Sequence, residues 1–240
     1  MKKSILAAVC SALLMSFTAN TQEKIKGNGN IISQTRTTGD YDAIKVAGSF
    51  DVELVSGKEG IISIKGEENL LPYVKVEVKE NVLKIYIEKN TQIKPSTREK
   101  IQIVIPFEKI SAVALVGSGD IQTKNVIKSD VFSAKLAGSG NLNLDVNSNA
   151  LELNLSGSGD ATIKGSADSF KAKLAGSGNI KASDLKSKNV EASLSGSGNS
   201  TVTCNNALVA RVAGSGNIKY LGNPEKCDVK VSGSGNITKG

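Results

Sequence analysis

The 240-residue chain contains no histidine and no tryptophan, and only 4% of it is aromatic. Without histidine there is no Ser-His-Asp or Cys-His relay and no imidazole to hold a metal. Few aromatic rings means no stacking platform of the kind that holds single-stranded nucleic acid. Like charges never run to five in a row despite a net charge of +7, so there is no basic stripe for nucleic acid. Beyond the N-terminus no apolar stretch approaches the length of a transmembrane helix. Apolar residues nowhere recur at three-four spacing, which removes the amphipathic helix as the building block.

The N-terminus sets the expected compartment. Lys2 and Lys3 precede 13 mostly apolar residues from Ile5 to Phe17, followed by Thr18-Ala19-Asn20-Thr21. That pattern reads as a secretory signal peptide over residues 1–21, cleaved after Ala19 or Thr21. Cys10 sits inside the apolar run and not at its end, which disfavours a lipid-modified terminus. The expected location is the periplasm, the outer-membrane surface or the extracellular space. Cleavage leaves 28 basic against 23 acidic residues, and two cysteines, Cys204 and Cys227. An even count in an oxidising compartment permits a disulfide between them.

What the sequence has in abundance is one motif. Gly-Ser-Gly-Asn/Asp occurs seven times, with its glycines and acid or amide at Gly117, Gly119, Asp120; Gly138, Gly140, Asn141; Gly157, Gly159, Asp160; Gly176, Gly178, Asn179; Gly196, Gly198, Asn199; Gly214, Gly216, Asn217; and Gly233, Gly235, Asn236. Successive copies are 21, 19, 19, 20, 18 and 19 residues apart. Two residues before each first glycine stand Leu115, Leu136, Leu155, Leu174, Leu194, Val212 and Val231, with polar residues such as Lys135, Lys173 and Arg211 beside them. Apolar residues resume after the turn at Ile121, Leu142, Ala161, Ile180, Ile218 and Ile237, with Ser200 the exception. Alternation with period two predicts strands with one buried face. No single repeat buries that face alone, but repeats stacked about 4.8 Å apart share one core. The expected fold is all-β, a right-handed parallel β-helix over residues 111–240. In it the seven tetrapeptides form one corner, and their Asn and Asp side chains form one column with the chance of an amide ladder.

Residues 22–110 read as an irregular β cap with degenerate rungs. Gly48-Ser49-Phe50-Asp51 follows the turn register with Phe50 in place of the second glycine, and Gly27-Asn28-Gly29-Asn30 looks like another degenerate turn. Val74–Val78 and Val82–Ile87 predict a hairpin turning at Glu80-Asn81, and Ile101–Ile105 a strand closed by Pro106. The last strand leaves a sheet edge that could pair with a second copy.

The seven turns, Tyr41-Asp42-Ala43-Ile44-Lys45-Val46 and Asn69-Leu70-Leu71-Pro72-Tyr73 together resemble the putative auto-transporter adhesin family with a head GIN domain, over roughly Tyr41 to Ile237. The resemblance implies a parallel β-helix in an exported bacterial envelope protein, and brings no catalytic residues.

Asp120 and Asp160 share a column two rungs apart, about 9 to 10 Å by rung spacing, a separation known for inverting glycosidases. Asn takes their place in the other repeats, so they read as turn formers and no enzyme is expected. Calcium-binding β-rolls repeat every nine residues with Asp in nearly every turn; here the period is twice that and five of seven positions are Asn, so neither metal nor cofactor is expected. Lys135, Lys173, Arg211 and Lys230 form an outward column, offset by Glu152, Glu191 and Asp228 beside it. The function that follows is a non-enzymatic adhesin-like or structural module contacting an envelope or surface component, with glycan among the candidates. A polysaccharide-binding or polysaccharide-degrading β-helix is the alternative.

Overall fold

The structure, a computed structural model, describes residues 23–96 and 100–240, so the signal peptide expected at 1–21 lies outside the described residues. The repeats fold as predicted. From Ile127 onward each coil is nearly one continuous bent strand: β12 (Ile127–Gly138), β13 (Asn141–Gly157), β14 (Asp160–Gly176), β15 (Asn179–Gly196) and β16 (Asn199–Gly214) lie parallel, each on the last. The chain forms a β-solenoid of about seven turns.

Register follows the glycines. Leu115 pairs with Leu136, Leu136 with Leu155, Leu155 with Leu174, Leu174 with Leu194 and Leu194 with Val212. Leu136, Leu155 and Leu174 are 1–2% exposed, so the column is a true interior and not a surface seam. Unequal coil lengths are taken up at the opposite corner, where register shifts fall between Thr162 and Gly165 and between Ala182 and Asn189. β17 (Asn217–Leu221) lies between β16 and β19 (Asn236–Lys239), and the outermost strands are β18 (Lys226–Ser232) and β19, each paired on one side alone; Val229 and Val231 there are 47% and 40% exposed.

At the other end, sequence order and spatial order part company. β3 (Ala43–Ala47) and β4 (Asp51–Ser56) make a rung through Gly48, whose φ of 146° matches the corner glycines. β10 (Ala112–Gly117) and β11 (Asp120–Thr123) stack on one side of that rung. β7 (Val82–Ile87) and β9 (Gln102–Phe107) stack on its other side. The first rung in sequence is therefore inserted between two later ones. Antiparallel strands close the end: β5 (Ile61–Glu67) pairs with β2 (Ile31–Thr37) and with β9, and β6 (Val74–Lys79) pairs with β7. The predicted hairpin turns at Glu80 and Asn81, both at positive φ (55° and 58°), as a tight primed turn requires. A short separate pair, β1 (Glu23–Lys26) with β8 (Thr91–Lys94), lies outside this sheet.

Two expectations need correction. Pro106 does not close its strand; β9 runs through it to Phe107. β9 pairs with β5 only from Gln102 to Val104, so the missing N–H of Pro106 costs no ladder bond on that side. Gly27–Asn30 is not a rung corner either. Its backbone is tied to the cap: Asn28 N–H donates to Asn69 Oδ1 (3.0 Å), and Gly29 N–H donates to Glu67, a carboxylate only 2% exposed that also accepts from the Ser96 N–H and hydroxyl (2.7 Å each).

Candidate binding surface

The repeated corner is built from its backbone. The first glycine of each motif has φ between 121° and 133°, a region that side chains disfavour. Its carbonyl accepts two hydrogen bonds from the next rung: at Gly138 these come from Ser158 N–H (3.0 Å) and Gly159 N–H (3.0 Å). The second glycine is needed for room. A Cβ on Gly159 would stand 2.2 Å from the Gly140 carbonyl oxygen and 2.9 Å from Leu136 Cδ2. Each leucine of the column thus reaches beneath the second glycine of the next rung, where no side chain fits.

Past the glycines the amides form the expected ladder, with one gap. Asn141 Nδ2 donates to Asp120 Oδ1 (2.6 Å), Asn179 Nδ2 to Asp160 Oδ1 (2.8 Å), Asn199 to Asn179 (3.2 Å), Asn217 to Asn199 (3.0 Å) and Asn236 to Asn217 (3.5 Å). Every amide donates down the stack. Asp160 has no proton to give Asn141, so the ladder stops there and restarts. Asp120 and Asp160 are the acceptors that begin the two runs.

The same two acids stay ionised. Burial raises the Asp120 pKa, but hydrogen bonds from Lys100 and Asn141 and the Lys100 charge together bring it below its ordinary value. Asp160 is likewise lowered: burial raises it, and bonds from Asn179 and Lys181 outweigh that. Lys100 lies against both Asp120 and Asp51 (3.1 Å to the latter), joining the cap to the first regular rung. A general acid needs a raised pKa; these two are held as structural anions, two rungs apart through Asn141.

Two members of the outward basic column, Lys173 and Arg211, pair with the acidic column, and a further pair forms within the acidic column at Lys171. Lys171 meets Glu191 (2.7 Å), Lys173 reaches Glu152 (3.6 Å) and Arg211 pairs with Asp228. Three or more Asp, Glu, Cys or His side chains placed to hold a metal do not occur among the described residues.

The opposite corner carries a feature that the glycine motif hides. There the strands bend at Asp130, Asn149, Asp168 and Lys188, and a trough of about 1070 Å³ runs across the rungs. Lys128, Asn147, Ser166 and Lys186 stack along one wall. On the other, Asn149 Nδ2 donates to Asp130 Oδ1 (3.2 Å), and Lys188 pairs with Asp168 (2.7 Å). In the sequence the stretch shows only as the part of each repeat where the spacing varies between 18 and 21 residues. The signal was present in the polar 128-to-130 and 147-to-149 runs, but no invariant residue marks it.

Residues 40–224 match the family described as "Putative auto-transporter adhesin, head GIN domain", more than three quarters of the chain. The chain belongs to this family. No curated protein matches it. Among solved structures, the head GIN chain is similar to a putative adhesin from Bacteroides fragilis NCTC 9343, with 26% identity and a TM-score of 0.81 over 90% of this chain and 99% of that one. It is also similar to a putative lipid binding protein from Parabacteroides distasonis ATCC 8503, with 28% identity and a TM-score of 0.76 over 91% and 100%. A putative adhesin from the latter organism shares the fold at 24% identity and a TM-score of 0.74, over 91% and 100%.

The two N-terminal segments that, with the seven turns, carried the resemblance sit before the regular rungs of the head GIN fold. Tyr41 is buried with its hydroxyl donating to the Pro106 carbonyl, and Leu70 and Leu71 are fully buried around a single 3-10 turn. Cys204 and Cys227, the expected candidates for a disulfide, are not joined: Cys204 is a buried thiol and Cys227 an exposed one. Cys227 stacks on Leu208, further along the strand than Cys204, whose sulfur points at the Lys188 and Ala207 carbonyls (3.4 and 3.2 Å). Burial pushes the Cys204 thiol pKa up, which makes it a poor nucleophile.

Proposed function

We propose that this head GIN protein is an exported, non-enzymatic module of the bacterial envelope that offers a stiff, repeating polar surface to another envelope or surface component. The observation that carries the proposal is the arrangement of its polar side chains. The corner acids and amides are bonded to one another down the stack, and outward charges pair between rungs. Groups committed in this way hold a surface rigid and are poorly placed to cycle protons. The N-terminal pattern of Lys2, Lys3 and the apolar run supports export, and the adhesin names of the relatives support a binding role.

The test expresses the full chain with a C-terminal tag in a Gram-negative host. The mature mass should correspond to cleavage after Ala19 or Thr21, the protein should leave the cytoplasm, and immobilised protein should retain a component of envelope fractions. Lipid vesicles belong in the same assay. One relative is named for lipid binding, and Lys173, Arg211 and Lys230 line another, smaller trough of about 460 Å³ here. An uncleaved cytoplasmic protein, or turnover of a polysaccharide substrate, would overturn the proposal.

A further inference from the structure

The trough at the bent corner lies away from the glycine and leucine columns that set the register on the far side, and exposed pairs such as Asn149 with Asp130 and Lys188 with Asp168 tie its rungs as well. Its lining residues are polar apart from Ile110 and Ala167: serine and asparagine from successive rungs, with four lysines against three aspartates. That near balance gives a polyanion little net attraction, and the lack of exposed rings gives stacking no purchase. Several of its polar atoms are uncommitted. Ser166 Oγ bonds to Asn147 Oδ1 (3.0 Å), which leaves the Asn147 amide N–H groups without a partner. Asn149 uses its N–H on Asp130 (3.2 Å) and leaves its carbonyl free. Ser148, between them in sequence, has a buried hydroxyl with no partner and lines the trough. These uncommitted atoms lie on the Asn147–Asn149 rung, and the polar row of Lys128, Asn147, Ser166 and Lys186 continues from them at the rung spacing of about 4.8 Å, close to the length that one hexose adds to an extended chain.

From this we infer that the trough over Lys128–Asp130, Asn147–Asn149, Ser166–Asp168 and Lys186–Lys188 binds a linear, uncharged polysaccharide lying along the solenoid axis. The inference rests on the envelope-module reading and gives its partner a chemical class. Each sugar adds a few hydroxyl contacts of modest strength, so affinity comes from length.

The experiment titrates folded wild-type protein by calorimetry with cellohexaose, chitohexaose and mannohexaose, the matching disaccharides, a hyaluronan hexasaccharide as polyanion, and an octapeptide of serine and asparagine. At least one neutral hexasaccharide should bind at least about tenfold tighter than its disaccharide, with less than about a twofold change between low and high salt. The double variant Asn147→Ala/Asn149→Ala should weaken it by about fivefold or more through lost hydrogen bonds, and Asn149→Arg should abolish it. Both positions are exposed, so circular dichroism should be unchanged, and Lys173→Ala/Arg211→Ala on the other trough should bind as wild type. The inference is overturned if no neutral hexasaccharide binds, if hyaluronan or the peptide binds better, or if Asn149→Arg has no effect. Retention of an envelope component by Asn149→Arg protein would reject the trough alone, whereas failure of wild type to be exported or retained would reject the underlying reading.

Discussion

Two glycines per motif do different jobs, and single substitutions separate them from ornament. The second glycine has no unusual φ; it is excluded from carrying a side chain only by the carbonyl and leucine beneath it. Gly159→Ala should destabilise by about 3 kcal/mol, the range of overpacking against atoms that cannot move aside. Gly39→Ala, with nothing within 4 Å of the added Cβ, should leave stability unchanged in the same urea titration. Ser200 tests the interior in the opposite sense. It occupies a column otherwise filled by Ile180 and Ile218, is 4% exposed, and its hydroxyl has no partner. Removing that hydroxyl with Ser200→Ala should raise stability by about 1 kcal/mol, visible as a higher midpoint with an unchanged slope.

Among the strands and their corners, the ladder connects sequence to acid response. Asp120 and Asp160 have folded pKa values below the ordinary Asp value of about 3.9. Their contribution is therefore complete above that value and is lost as pH falls through the lower folded values. Both are partly exposed, so each contributes modestly. Asp160→Asn gives the column a donor for Asn141 while removing the ion pair with Lys181 (3.0 Å). At neutral pH the two effects should nearly cancel, and thermal melts taken toward pH 2 should show a shallower loss of stability in the variant than in wild type.

This level is also where the sequence was most and least readable. The strand faces, the corner, the amide column and the Glu80-Asn81 turn were legible because each follows from a local rule: alternation, positive φ, or a repeated side chain. The insertion of the β3–β4 rung between two later rungs was not, because Ile44 and Val46 alternate as they would anywhere in the stack. Nothing local says whether Val113 or Leu83 lies beside Ile44, and both do. The bent-corner trough was missed for a related reason. Its residues face solvent, so packing does not constrain them to one type, and Lys128, Asn147, Ser166 and Lys186 share a row without sharing a chemistry.

For the molecule as a whole, a solenoid whose rungs touch only their neighbours should lose one and close up. Deleting Ser158 through Gly176 removes one 19-residue coil and joins Gly157 to Ser177, preserving a complete Gly-Ser-Gly-Asn corner. Leu174 leaves with it, and Leu194 comes to lie on Leu155 where Leu174 had been. Asp160 leaves as well, so Asn179 stacks on Asn141 and the ladder runs without its gap from Asp120 to Asn236. The shortened protein should keep its strand circular dichroism and a single cooperative melt, at a lower midpoint because one rung interface is lost, and small-angle scattering should show a particle shorter by about 4.8 Å. Deleting Gly159 through Gly176 instead leaves one surplus residue at the corner, which opposes the alternation on its two sides. That variant should melt lower still or without cooperativity. Equal behaviour of the two deletions would mean that the corner does not set the register, and the stacking argument would fail with it.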